Sequence, residues 1–154
     1  MPNLTLLPKL VLTGLLSLIL LMTGCSSIPE DDFKNRFNQA TNHFGQEFEF
    51  FYIPSYGWIA DREFVKLTPL GDPSSDARQL SRMLAYGESQ PTRIAVYCPS
   101  SERMASVLHN ALYLNKHLRL PELEILFIGE SEASTSLQQK TEALGAQFVF
   151  KKVE

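Results

Sequence analysis

Apolar and polar residues follow three different patterns along the chain, and each pattern predicts one kind of segment. Leu10 to Met22 is an almost continuous apolar run near the start. Residues 47–53 instead alternate with a period of two and carry several aromatic side chains, which is typical of a strand. From residue 62 onward, apolar positions at helical spacing take turns with short apolar runs, which indicates alternating helices and strands.

Three helices are predicted after residue 62. Asp72 and Pro73 are expected to begin the first, as its N-cap and first helical residue. Ser100 is expected to cap the second, and Ser131 to begin the third, which Gly145 ends in the C′ position. The first two helices have apolar inward faces, formed by Ala77, Leu80, Met83, Leu84, Met104, Val107, Leu108, Ala111, Leu112 and Leu118.

Strands are predicted at residues 47–53, 63–67, 93–98, 123–128 and around 148–150. The alternation of strands and helices favours a single layered α/β domain, with a mixed or mostly parallel sheet of about five strands and three helices. One placement of the first strand is antiparallel at an edge of that sheet. The alternative is an α+β fold in which hairpin pairs break the parallel order.

The apolar run at the start has the form of a secretory signal peptide. Lys9 is the charged side chain that precedes it. An apolar stretch of about 7–15 residues with small residues behind it indicates a signal rather than a membrane span, which needs about 20 apolar residues. Its end, Leu21-Met22-Thr23-Gly24-Cys25, resembles the lipobox of bacterial lipoproteins, with Met22 at a position where that family prefers Leu.

The lipobox resemblance implies cleavage after Gly24 and acylation of Cys25, which would hold the protein on a membrane through its acyl chains. In this family Ser after the cysteine, here Ser26, goes with sorting to the outer membrane. The expected location is therefore the outer membrane, facing the periplasm. The predicted organisation is a signal peptide over 1–24, a lipidated N-terminus and tether over 25–42 with a short helix near 32–41, and a periplasmic domain over 43–154.

Charge and cysteine content narrow the expected partners. Removal of residues 1–24 leaves 130 of the 154 residues, and the loss of Lys9 changes the net charge from −3 to −4. This mild acidity argues against nucleic acid and against membrane binding through a basic patch. With the Cys25 sulfur joined to lipid, Cys98 has no intrachain partner in an oxidising compartment, and burial is expected to protect it.

Cys98 is the last residue of a predicted strand and shortly precedes a predicted helix, in VYCPSSERM (96–104). The surrounding segment, residues 93–112, resembles the active-site segment of rhodanese-like domains. That resemblance implies Cys98 as the sulfur-accepting nucleophile and Arg103 as the anion partner. Pro99 lacks a donor N–H, however, and Glu102 adds negative charge where an anion would bind. A buried, non-catalytic Cys98 is the favoured interpretation, and the thiol enzyme is the alternative.

Residues 93–134 are similar in order to the peptidoglycan-binding domain of outer-membrane proteins. Arg103 is the only counterpart of that family's arginine, and the family's aspartate has none. Small lipoproteins of tight-adherence pilus operons also look broadly similar. His43, His109 and His117 are isolated in the sequence, so no metal site is predicted. The sequence also has no Gly-rich phosphate loop, and no cofactor is predicted.

Six aromatic residues fall between Phe48 and Trp58, inclusive. A strand packed on the core accounts for the alternating ones. Tyr56 and Trp58 follow it in a segment with Pro and Gly, and are candidates for an exposed partner-binding surface. The predicted function is a non-catalytic binding or assembly accessory at the outer membrane, with a protein of an envelope complex such as a secretion or pilus apparatus as partner. The alternatives are the thiol enzyme and a peptidoglycan-associated lipoprotein.

Overall fold

The computed structural model describes residues 30–130 and 134–153. Within them the sheet has four strands in chain order, β1 (Glu49–Tyr52), β2 (Thr92–Tyr97), β3 (Leu123–Gly129) and β4 (Gln147–Lys152). The α-helices are α1 (Glu30–Phe44), α2 (Trp58–Leu67), α3 (Ser75–Ala85), α4 (Ser101–Leu114) and α5 (Ser134–Ala143). Every neighbouring pair of strands is parallel. The predicted α/β class is confirmed, and the α+β alternative is wrong.

Helices cover both faces of the sheet. Helices α2 to α5 pack on one face, over an apolar core that includes Ile94, Val96 and Phe127. This is the arrangement that the right-handed crossover rule gives for parallel strands in chain order. Helix α1 precedes β1 and covers the other face, where Ala40 packs near Tyr97. Successive side chains of a strand point to opposite faces, so Tyr97 and the next residue, Cys98, belong to different layers.

Helix α1 runs antiparallel to the strands. Near its start, Asp32 accepts a hydrogen bond from the Tyr97 hydroxyl at the carboxyl end of β2. Near its end, the His43 ring lies 3.1 Å from the Glu124 carboxylate at the beginning of β3. The chain is helical from Glu30, within the range 25–42 that the sequence assigns to a tether with a short helix near 32–41. Residues 25–29 lie outside the described part of the chain.

Residues 58–67 form helix α2 where the sequence predicts a strand at 63–67, so the described sheet has four strands and not five. The inward side of α2 carries Asp61, which is 3% exposed, and the half-buried Phe64. A charged residue at an inward position interrupts the repeat of apolar residues from which a helix is predicted. Gly57 precedes the helix with φ of 94°, a conformation that favours glycine.

Three smaller expectations also differ from the structure. Strand β1 does lie at an edge, but it is parallel to β2, with Phe51 opposite Val96. Ser74 caps α3 by accepting a hydrogen bond from the Ala77 N–H, so neither Asp72 nor Pro73 begins that helix. Helix α2 adds to the three helices predicted after residue 62, and α1 is longer than the short helix expected near 32–41.

The predictions of the cap at the start of α4 and of the glycine after α5 are correct. The Ser100 hydroxyl caps α4 by accepting a hydrogen bond from the Arg103 N–H at 3.3 Å. Gly145 has φ of 84°, as its predicted place after a helix requires. Ser131 lies outside the described residues, and α5 is described from Ser134.

Candidate functional site

An open cleft of about 640 Å³ lies at the carboxyl edge of the sheet, and we call it the carboxyl-edge cleft. Helix α1 forms one side, and the end of β2 with the start of α4 forms the floor. Its lining residues are Asp32, Arg36, Trp58, Tyr97, Cys98, Pro99, Ser100, Ser101, Glu102, Glu130 and Val153. Ligands of parallel α/β sheets bind outside the carboxyl ends of the strands, so this is the candidate binding site by position.

Cys98 lies at the floor of the cleft but is only 1% exposed, and it forms no disulfide. Burial raises the pKa of the thiol to about 11, although a hydrogen bond from the Ser100 backbone acts in the opposite direction. The group is therefore a protonated thiol at neutral pH, and a thiol is a weak nucleophile. The expected burial of Cys98 is confirmed.

Arg103 is buried on the face of the sheet that α2 to α5 cover, and it is not among the residues that line the cleft. Its Nη1 lies 3.3 Å from Asp61 Oδ1, and its Nη2 lies 3.7 Å from Asp76 Oδ2. The guanidinium carbon is 4.1 Å from the centroid of the Phe64 ring and 4.9 Å from that of Tyr56. Both family resemblances imply that Arg103 contacts a ligand, an anion in the rhodanese-like case. In this structure its contacts are with carboxylates and aromatic rings of its own domain.

Asp61 is the residue that sequence reasoning misses at this edge. Besides Arg103, its carboxylate accepts hydrogen bonds from the Ser55 hydroxyl at 2.5 Å and from the Tyr56 N–H at 3.2 Å. The Ser55 hydroxyl in turn accepts a hydrogen bond from the Gly57 N–H. Asp61 therefore holds the whole turn that leads from β1 into α2, and with it the position of the two predicted surface aromatics.

Tyr56, Trp58 and Ile59 are 65%, 73% and 71% exposed, and together we call them the apolar patch. Trp58 stands at the rim of the cleft, and the Arg62 guanidinium carbon lies 5.5 Å from the centroid of a Trp58 ring. A second hollow of about 230 Å³ lies between Trp58 and the beginning of α4. The structure thus brings Tyr56 and Trp58 to the surface beside the cleft.

The opposite wall of the cleft is polar. Arg36 Nη2 lies 3.2 Å from Asp32 Oδ1, four residues earlier in α1, and the Arg36 guanidinium lies 5.8 Å from the centroid of the Tyr97 ring. Burial, followed by the hydrogen bond to Asp32, raises the pKa of the Tyr97 hydroxyl. Arg36 and Asp32 balance each other, so Glu102 and Glu130 leave the cleft with an acidic excess.

Within residues 30–130 and 134–153, no group of three or more His, Cys, Asp or Glu side chains is placed to hold a metal ion. In the same ranges, none of the helices combines the length and the apolar character needed to cross a membrane. The residues of the predicted cleavage, acylation and sorting signal, Gly24, Cys25 and Ser26, lie outside the described part. Comparisons with protein-family models, curated proteins and solved structures give no match for this chain.

Proposed function

We propose that this chain is a bacterial lipoprotein whose acyl chains on Cys25 hold it at the outer membrane, and whose periplasmic domain binds a protein of an envelope complex without catalysing a reaction. The lipobox resemblance of residues 21–25 supports the anchor. The observation that carries the binding role is the carboxyl edge, where an open cleft and the exposed apolar patch lie side by side.

The charges of the cleft support binding rather than catalysis. The thiol of Cys98 is protonated at neutral pH, and the Arg103 guanidinium is engaged by Asp61 and Asp76. No other cation than Arg36 lines the cleft among the described residues, and Asp32 neutralises it. Glu102 and Glu130 would repel an anionic substrate and attract a basic segment of a protein partner.

The anchor is tested with two variants at the lipobox. Cys25→Ala should remain unacylated and should not be processed normally, as shown by mass spectrometry of the N-terminal peptide. Ser26→Asp is the matched control, because it should be acylated but remain in the inner membrane, as shown by density-gradient separation of the two membranes. A Cys25→Ala protein that is cleaved and acylated like the parent would contradict the proposal.

The binding role is tested by site-specific photo-crosslinking in intact cells. A crosslinkable residue in place of the exposed Glu102, in the cleft, should give a discrete product with one envelope protein. The same residue in place of Tyr113, which is 57% exposed in the last turn of α4, is the control and should not give that product. The Cys98→Ser variant should still form the product, and loss of cellular function with an intact fold would favour the thiol enzyme instead.

A further inference from the structure

The direction of α1 decides which edge of the domain stays near the anchor. Its first turns lie at the carboxyl edge, where Asp32 and Trp58 line the same cleft. Five peptide steps separate Cys25 from Glu30, and even a fully extended chain of that length spans at most about 17 Å. Acyl chains on Cys25 therefore keep the carboxyl edge, and with it the apolar patch, close to the membrane surface.

The chemistry of the apolar patch suits the boundary between lipid and water. Trp and Tyr are enriched at that boundary because each joins an apolar ring to a polar group. Ile59 adds an aliphatic side chain in the first turn of α2, and Arg62 lies over Trp58, where its guanidinium can meet a lipid phosphate. None of the three side chains belongs to the apolar core, to which α2 contributes Phe64, although the Tyr56 ring also lies 4.9 Å from the Arg103 guanidinium carbon.

The charges at this edge indicate the kind of lipid surface. Arg62 is exposed beside the apolar patch, and Glu102 and Glu130 are exposed along the cleft. Anionic lipid would attract the arginine but repel the two glutamates. Zwitterionic headgroups carry no net charge, so their phosphates can meet the arginine while the surface does not repel the two glutamates.

We propose that Tyr56, Trp58 and Ile59 insert into the headgroup region of a zwitterionic bilayer and so hold the carboxyl-edge cleft at the membrane surface. This inference rests on the proposed acylation of Cys25. It assigns the apolar patch to lipid and leaves the cleft to the protein partner, which then binds at the level of the headgroups. The domain is not free to rotate on its tether but meets the membrane with one defined edge.

Trp58 is the only tryptophan of the chain, so its fluorescence reports on this surface alone. The full acylated protein is incorporated into phosphatidylcholine vesicles, with or without bromine atoms on the acyl chains near the headgroups. We expect the emission of Trp58 to shift to shorter wavelength on incorporation, and brominated lipid to reduce its intensity by about half or more. Iodide in the water should quench it less than in the detergent-solubilised protein.

The control moves the reporter to the far end of the domain. Tyr113 is similarly exposed but lies about 18 Å along α4 from the carboxyl edge, at 1.5 Å per residue. The Trp58→Phe/Tyr113→Trp double variant keeps the anchor and a single tryptophan, and its emission should not respond to bromine. Equal quenching of the two proteins, or none in either, overturns the inference, since the domain then has no preferred edge.

Two further outcomes separate this inference from the proposed function. Flotation with the vesicles and the mass of the N-terminal peptide report the anchor independently of fluorescence. A protein that floats and is acylated, but whose Trp58 stays unquenched, overturns the membrane contact alone and leaves the apolar patch to a protein. A protein without acyl chains overturns the anchor and this inference with it. Quenching that requires phosphatidylglycerol overturns the assignment to zwitterionic lipid.

Discussion

Different helices cover the two faces of the sheet, and each of these two covers contains one buried arginine near the carboxyl edge. Helices α2 to α5 cover one face, with Arg103 among them, and α1 alone covers the other, with Arg36. Both arginines are 5% exposed, and both lie against an aspartate and an aromatic ring. Similar burial and similar neighbours would suggest that the two have the same role.

Their partners show that they do not. Arg103, in α4, pairs with Asp61 in α2 and Asp76 in α3, so it joins three helices that are separate in the chain. Arg36 pairs with Asp32 one turn earlier in its own helix, and its aspartate reaches the sheet through Tyr97. We therefore expect the loss of a partner to cost more for the charge that joins distant elements than for the one paired within its own helix.

The Asp61→Ala substitution should have the largest effect. It leaves Arg103 buried beside only the more distant Asp76, and it removes the acceptor of the Ser55 and Tyr56 hydrogen bonds. We expect the free energy of unfolding to fall by about 3–5 kcal/mol, the range for breaking a buried ion pair. Urea unfolding of the domain, followed by circular dichroism, measures this loss.

The control for Asp61 removes both charges together. Asp61→Leu/Arg103→Met leaves no buried charge unpaired at this position, so it should recover a substantial part of the stability lost in Asp61→Ala. A loss below about 1 kcal/mol in Asp61→Ala would mean that water replaces the carboxylate. The two arginines would then be equivalent, and the comparison of the two covers would fail.

Titration of Cys98 probes the face of the sheet that α2 to α5 cover, since the adjacent Tyr97 points to the opposite face, under α1. The ordinary pKa of the thiol is 9.0, and in the folded protein it is raised to about 11. Between these values the unfolded chain loses its proton while the folded protein keeps it, so the stability that is present below pH 9 is lost as pH rises through 11. The total loss should be about 2–3 kcal/mol, at about 1.4 kcal/mol per pH unit.

A matched Cys98→Ala variant isolates the thiol. It retains Tyr97 and every other group that titrates at high pH, so the difference in unfolding free energy between the two proteins should fall only above pH 9. Iodoacetamide near neutral pH should label Cys98 slowly until the protein is denatured. Rapid labelling of the native protein would show that the thiol is accessible and would revive its candidacy as a nucleophile.

The Asp32→Ala substitution should cost less, about 1–2 kcal/mol. Its side chain is 31% exposed, so water can take over part of its role, and Arg36 keeps the Gln39 side chain at 3.3 Å. What is lost is the acceptor of the Tyr97 hydroxyl. Asp32→Asn retains an acceptor and should recover most of the loss in urea unfolding. If Asp32→Ala costs as much as Asp61→Ala, the local pair contributes as much as the tertiary one.

Much of the face covered by α2 to α5 could be predicted, because the sequence patterns that mark its elements are local. The strand before Cys98, the Ser100 cap and the apolar positions of α3 and α4 each depend on neighbouring residues, and the structure confirms them. Helix α2 was missed because its inward side contains Asp61, which a periodicity argument counts as polar. The parallel direction of β1 depends on a long connection through α2 and α3, so the misassigned helix also obscured that direction.

The candidate site was less predictable than the fold. The burial of Cys98 was expected on the hypothesis of an oxidising compartment, where a thiol without a disulfide partner is at risk of oxidation. The exposure of Trp58 was expected from its Pro/Gly-containing segment. The ion pair of Asp61 and Arg103 joins residues 42 positions apart, and no local pattern marks such a pair. Arg103 therefore resembled an anion-binding residue in the sequence, although its charge is used inside the fold.

The Trp58→Ala substitution should have the smallest effect on stability, within about 0.5 kcal/mol. Trp58 and Phe64 belong to the same helix, but Trp58 faces outward while Phe64 packs against the core and the Arg103 guanidinium. Phe64→Ala is thus the matched control and should cost about 2 kcal/mol, below the value for a fully buried Phe. Thermal unfolding of both variants measures the contrast. Equal losses would mean that Trp58 belongs to the fold, whereas a neutral Trp58→Ala shows that the aromatic side chain is available for binding at the carboxyl edge.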